Sequence, residues 1–432
     1  MNFTKNQIII VGGFAFVAIL FALMLTGVIP GLKKSPQTAT KADLVIWGFE
    51  PKKAIDPAIA AVGSRYSGLK FSYRQFTDEA EYHAALLESL AAGEGPDIFV
   101  VKNSGLLQHE NKITPLPVDA LPLVQLRGIF PQAIERSFVQ GGKIYALPVS
   151  VDTLALIFNR DLFNQAGVTT PPATWDEFTA LVPKLAKIDV SRQITQAASA
   201  IGGSGANIPH ASDLLSLLML QNGTPMVNSS LSAARFTTQE GEEALAFYTQ
   251  FTNVGSSVYT WNSALPNAFD LFTQGKVGML FEYSDVLDTI RQRNPLMNFD
   301  IAPVPQKAST TQIITYANFW GYTVARQSQN PNLAWEFILS LTTDANVARA
   351  SVTATGKIPA LTVLLNRYFA DPRLNVFARQ FLVARSWPEI DPAAVDEIFS
   401  TMITLVSENR ASVEGALKQG EAGVSALMAK RL

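Results

Sequence analysis

The stretch that most constrains this chain is 141–163, GGKIYALPVSVDTLALIFNRDLF. Its alternation over 143–147 predicts a short strand that stops at Pro148. The near-continuous apolar run over 153–159 predicts a second strand, buried on both faces. Proline fixes φ and donates no ladder hydrogen bond, so the chain is expected to leave a sheet at Pro148 rather than continue one. Taken as pattern alone, the piece fits a plain α/β enzyme equally well.

The segments before it read as strand 43–49, helix 51–66, strand 71–76, helix 79–92 closed by Gly93, and strand 97–101. A strand–helix–strand–helix–strand run of this kind builds a doubly wound parallel sheet, whose ligands sit beyond the carboxyl ends of the strands. That rule gathers 47–50, 102–104 and 150–153 around one opening. A second lobe is expected from about residue 152. It begins with a helix over 175–187, with Thr174 as N-cap and Glu177 three residues on, a capping box. Residues 202–207 (GGSGAN) lack the Gly-Lys-Ser/Thr ending of a phosphate loop and read as a flexible surface loop facing the cleft. A strand over 277–281 ends in Glu282-Tyr283-Ser284, and long helices fill 393–427.

The order of these pieces matches a known pattern. GKIYALPVSVDTLALIFNRDLFNQAGVTTPPATWDEF (142–178) resembles the crossover segment of family 1 extracellular solute-binding proteins, the sugar-binding receptors of ABC importers. GPDI (95–98), FTQGKVGML (272–280), IAPVP (301–305) and WEFILSLTT (335–343) extend the resemblance over almost the whole chain after residue 42. Phe158 stands where the family usually has Tyr. The resemblance implies an α/β, two-lobed periplasmic-binding-protein-like fold (type II) with three crossovers, hinged near 149–153, 302–306 and 345–357. Lobe one would comprise 43–150 plus 305–350, and lobe two 151–304 plus 351–432. It also implies ABC permease subunits as partners. A chain of 432 residues exceeds a single typical domain, which agrees with two lobes.

Residues 8–29 contain no charged side chain. As a helix they would span roughly 33 Å, enough for a bilayer core. A secretory leader has a shorter apolar run with small residues close behind it. Here Pro30-Gly31-Leu32-Lys33-Lys34 follows, so one uncleaved N-terminal transmembrane helix is expected, with 30–42 as a tether. Lys5 before the helix and Lys33 and Lys34 after it do not set its orientation; the resemblance implies that the folded part lies outside the cytoplasm, held at the cell membrane. The chain has no cysteine, which excludes a lipid-modified N-terminal Cys, disulfides and thiolate-bound metal. A net charge of −2 without any basic run argues against nucleic acid as a partner.

No catalytic pattern stands out. The three histidines, His83, His109 and His210, form no i, i+4 pair, and no Gly-x-Ser-x-Gly elbow occurs. No cofactor or metal is expected. Binding is better supported, because a sugar offers hydroxyl edges and apolar ring faces that call for planar acceptors and aromatic platforms. Candidates from lobe one are Trp47, Glu50, Asp97 and Asn103; Asp152 comes from the crossover; Glu282 and Tyr283 come from lobe two. Trp261, Trp320 and Trp387 lie in loops or at strand starts, whereas Trp335 lies on a helix and reads as core, and Trp175 as helix-start packing. The resemblance gives ligand contacts to Asp97, Asp152, Trp47, Glu282 and Tyr283. It also marks departures: Glu282-Tyr283-Ser284-Asp285 replaces the family's Asn-Gly-x-Trp, and Asn318-Phe319-Trp320-Gly321 replaces a double glycine. A monomeric receptor for a saccharide-like solute is expected, and the added bulk and carboxylate make a small saccharide, or something cationic, as compatible as a long oligosaccharide; an anchored carbohydrate-active enzyme and a surface adhesive protein are the alternatives.

Overall fold

The computed structural model describes residues 38–308, 310 and 312–430, so the membrane helix expected over 8–29 lies outside the described residues. Among those residues no helix is long and apolar enough to cross a membrane.

Strands β1 (Thr38–Gly48), β2 (Tyr66–Gln75), β3 (Ile98–Lys102) and β4 (Ile113–Thr114) come first, followed by the hairpin β5 (Val139–Gln140) and β6 (Lys143–Ile144). Next are β7 (Ser150–Thr153), β8 (Ala155–Asn159), β9 (Lys187–Ile188), β10 (Ile194–Ser199), β11 (Val277–Glu282) and β12 (Phe299–Ala302). The last are β13 (Thr315–Asn318), β14 (Trp320–Ala325), β15 (Ile358–Pro359) and β16 (Ala384–Arg385). One sheet has the order β2-β1-β3-β14-β4 and a second the order β12-β8-β11-β10-β9. A third, β15-β7-β13-β16, lies between them in connectivity. The molecule is therefore two α/β lobes joined by a small sheet made of the crossing strands.

Local chemistry accounts for the elements. All five residues of β8, Ala-Leu-Ile-Phe-Asn, are buried, as are all six of β11, because helices cover both faces of this sheet. The helix Glu79–Ala92 starts where Asp78 accepts the Glu81 N–H and stops at Gly93, whose φ of 76° is the left-handed C-cap. Trp175–Leu185 starts at Thr174, which accepts the Glu177 N–H, while Glu177 reaches back to the Ala173 N–H at 2.7 Å. Trp335 and Trp175 are buried at 2% and 7% exposure, as core and helix-start packing.

Four expectations change. The connection between the two expected strands, 143–147 and 153–159, is itself a strand: Pro148 ends the lobe-one pairing, β7 joins the small sheet, and β8 alone enters lobe two. Residues 38–42, expected as tether, begin β1, with Thr38 beside Tyr66. Residues 345–355 are not a hinge but the helix Ala345–Thr355, which packs on the helix Lys52–Gly63; the third crossing starts at β15. The loop at 202–207, expected as a flexible surface loop, is exposed at Gly205 and Ala206 but packed at Gly202, Gly203 and Asn207. The Tyr248 hydroxyl donates to the Gly203 carbonyl at 2.7 Å, and a Cβ at Gly203 would stand 2.7 Å from the Trp261 ring. The helices Pro392–Ser407 and Val413–Ala429 pack on each other and on the lobe-two helices.

Candidate functional site

In lobe one the parallel strands β1, β2 and β3 end at Gly48, Gln75 and Lys102, and antiparallel β14 begins beside them with Trp320 opposite Lys102. Trp320 is half-buried. Its ring lies 4.7 Å from Phe49, 6.1 Å edge-on from Tyr82 and 6.1 Å from His83. These rings form an aromatic wall at the carboxyl end of the sheet. In lobe two β8 starts, and β11 ends, next to the small sheet, with Ala155 opposite Glu282. The loop after β11 (Tyr283, Ser284, Asp285) and the start of the helix Ala211–Asn222 form the second wall.

That second wall is charged. His210 Nδ1 is 3.4 Å from Asp213 Oδ2, and its Nε2 is 3.3 Å from Glu282 Oε2. The Tyr283 hydroxyl donates to Asp213 Oδ2 at 2.8 Å, and the imidazole meets the Tyr283 ring edge-on at 4.7 Å. Burial opposes the charge on His210, but Asp213, Glu282 and Asp285 push it up to about 9. Burial pushes the Glu282 carboxyl up to about 7 despite the pull of His210. Asp213 is held below the usual carboxylate range: burial would raise it, and the His210 hydrogen bond and Lys102 outweigh that.

Lys102 couples the walls. Burial alone would lower its ammonium, yet Asp213 of lobe two, Glu79, Glu389 and Asp396 together raise it. Glu389 is 7% exposed. It accepts the Ser104 hydroxyl at 2.7 Å and donates its own N–H to the Ser104 carbonyl at 2.8 Å. Burial drives its carboxyl up to about 8 against Lys102 and Ser104.

The crossing strands are tied to both walls. Asp152 on β7 is half-buried and accepts the Thr153 N–H, the Ser284 N–H and the Ser284 hydroxyl at 2.8, 2.9 and 2.6 Å. Burial pushes it up to about 7, against the Ser284 hydrogen bond. Glu50, beyond β1, receives Lys357 Nζ at 3.0 Å and the Ser150 hydroxyl at 3.5 Å, from beside β15 and on β7.

The expected residues are thus not all in one place. Trp320, Asp152 and Glu50 are half-buried at the junction of the lobes, and Glu282 and Tyr283 lie at the same junction but are buried, 1% and 3% exposed. Asp97 does not: it precedes β3, at the far end of the strand from Lys102, where its carboxylate accepts the Val45 N–H at 2.9 Å and the Ser328 hydroxyl at 2.5 Å. Asn103 is 3% exposed, with its amide spent on the Ala317 carbonyl and the Phe319 N–H. Trp261 has no exposed surface and donates to Asn207 inside lobe two. Trp387, 2% exposed, donates to Ser216 and stacks on Phe399. Trp47 is 7% exposed, and the Arg74 guanidinium covers its ring at 4.9 Å. Sequence reading placed Lys102 at the opening without giving it a role, and missed His210, Asp213 and Glu389. The one signal for them was His210 and Asp213 spaced i, i+3 at a helix start. Among the described residues no set of three or more acidic or histidine side chains is arranged to hold a metal ion.

Known proteins share this fold. The model of the bacterial extracellular solute-binding protein family matches residues 58–372. A binding protein of Brucella abortus is 25% identical over 254 residues, 59% of this chain and 60% of that protein, so the match spans less than two thirds of that relative. The galactooligosaccharide-binding protein of Bacillus subtilis is 23% identical over 80% of this chain and 79% of its own length. Among solved structures, the cyclic alpha-maltosyl-1,6-maltose binding protein of Arthrobacter globiformis superposes with a TM-score of 0.74 at 21% identity, covering 90% of this chain and 100% of that one. That likeness establishes the two-lobed periplasmic-binding-protein-like fold. With both lobes accounted for and most of its length matched by the family model, the chain belongs to the bacterial extracellular solute-binding proteins.

Proposed function

We propose that this chain is the saccharide receptor of an ABC importer, binding its ligand in the crevice between the lobes and closing upon it. The observation that carries this reading is the pairing of an aromatic wall on lobe one, Phe49 and Trp320 at 4.7 Å, with a hydrogen-bonding wall on lobe two, His210, Glu282 and Ser284. Pyranose rings stack on the first, and hydroxyls exchange hydrogen bonds with the second. The relatives named above as sugar-binding proteins support the same ligand class. They are binding proteins, which favours a receptor over an anchored enzyme or an adhesive protein. The crossing strands act as the hinge, with Glu50 and Asp152 fastening each lobe to it. The closed, loaded state is what permease subunits would read, and the receptor would work as a monomer. Residues 8–29 would hold it at the outer face of the cell membrane, with the ligand-binding lobes extracytoplasmic.

Calorimetric titration of the full chain with a panel of neutral mono- and oligosaccharides tests the reading. At least one member is expected to bind with micromolar or tighter affinity, and Trp320→Ala and Ser284→Ala are expected to weaken it. A panel with no binder removes the proposal.

A further inference from the structure

We infer that His210 is the specificity-determining residue of the crevice, an internal counter-ion that fits an acidic wall to uncharged saccharides. This rests on the saccharide-receptor reading above.

The geometry gives His210 an unusual post. It precedes the helix Ala211–Asn222 in a left-handed backbone conformation, φ 56°, which His, Asn and Asp tolerate better than most residues. Its side chain is 35% exposed, whereas those of Asp213 and Glu282 behind it are 19% and 2% exposed. A ligand reaching this wall therefore meets the imidazole before it meets either carboxylate. Every charged group packed around the ring is accounted for. Asp213 lies on its own helix, Glu282 ends β11, and Tyr283 and Asp285 lie on the loop after it. Lys102, from β3 of the other lobe, acts on Asp213.

Glu282 shows what the imidazole is for. Its Oε2 is buried and makes no hydrogen bond within the protein, leaving only the charge contact with Nε2 at 3.3 Å. A buried carboxylate oxygen without a donor is costly. A ligand ammonium placed here would relieve that cost, and an acidic wall lacking His210 would select such ligands. The imidazolium occupies that place. Two carboxylates share its charge, and the ligand is left to supply hydroxyl donors rather than a cation. Burial and its acidic neighbours keep the ring charged at neutral pH, up to about 9.

Two measurements on the full chain test the assignment. The first is the titration of histidine Cε1–H resonances by NMR, with three histidines to resolve and His210→Asn to identify the relevant one. The ring is expected to titrate above about pH 8, and about one unit lower in Glu282→Gln. A ring that titrates at or below the ordinary value of about 6.5 overturns the inference. The second is calorimetry with maltotriose as the neutral probe and fully deacetylated chitotriose as the cationic one. Asn suits the left-handed backbone, so His210→Asn keeps the local fold. The variant's ratio of chitotriose to maltotriose affinity is expected to rise about tenfold or more over the unsubstituted chain. An unchanged or lowered ratio overturns the inference. If neither probe binds, that result counts against the receptor reading, and the ring titration alone decides the state of His210.

Discussion

Asp152 and Ser284 are joined twice: the Ser284 N–H and its hydroxyl both donate to Asp152 Oδ2, at 2.9 and 2.6 Å. One residue is on the first crossing strand and the other follows the central strand of lobe two. The carboxylate therefore fixes where lobe two begins relative to the hinge. Asp152→Ala leaves three donors, the Thr153 N–H and both Ser284 groups, without their acceptor, which costs about 1–3 kcal/mol. Urea unfolding is expected to show that loss, together with weakened saccharide binding.

Asp97 separates a structural role from the role that family resemblance assigns it. Its carboxylate closes the far end of the lobe-one sheet through Val45 and Ser328. Asp97→Ala is expected to lower unfolding free energy by about 1–3 kcal/mol and to leave saccharide affinity unchanged once the protein is folded. Denaturant titration and calorimetry on the same sample check both halves.

Trp320 is half-buried in the aromatic wall, as its neighbour Phe49 is. Trp320→Ala removes the ring that a pyranose would stack upon. Affinity is expected to fall about tenfold or more, equivalent to about 1.4 kcal/mol, while Trp320→Phe recovers part of it. Calorimetric dissociation constants for the three proteins provide the measurement.

Stability is expected to fall as pH rises above neutrality. His210, raised from 6.5 to about 9, contributes stability that is complete below pH 6.5 and lost as pH rises through 9. Asp152 and Glu282, raised to about 7, and Glu389, raised to about 8, keep protons in the folded state that the unfolded chain has already released. Their contribution is likewise lost on the way up through those values. His109, held down to about 3 by burial, has the opposite sign, but its window closes at 6.5. Above pH 6.5 all four raised groups act in one direction. The thermal midpoint is expected to drop between pH 6.5 and 9, and Glu389→Gln is expected to flatten the part below about 8.

The fold was largely legible because its signals are local. The apolar run of β8, Thr174 with Glu177, and the glycine after Ala92 each name an element without reference to the rest of the chain. The split at 148–155 was half legible: proline says that a strand stops, but only tertiary pairing says that 150–153 joins a third sheet. The site was less legible. Trp261 and Trp387 sit in irregular segments, which sequence reading takes as exposure. Both indoles instead find hydrogen-bond partners in the core, Asn207 and Ser216, contributed from 54 and 171 positions away. His210 and Glu282 are 72 positions apart in the chain, and only the folding of lobe two brings them together. Lys102 and Glu389 meet for the same reason, across the boundary between the lobes.

The central claim is that a saccharide draws the two lobes together without being altered. Small-angle scattering of the full chain, with and without a saturating saccharide identified by calorimetry, measures it most directly. The account predicts a smaller radius of gyration with ligand, reversed on dialysis, with the saccharide recovered intact. An unchanged radius under saturation, or recovery of a cleaved sugar, would contradict it.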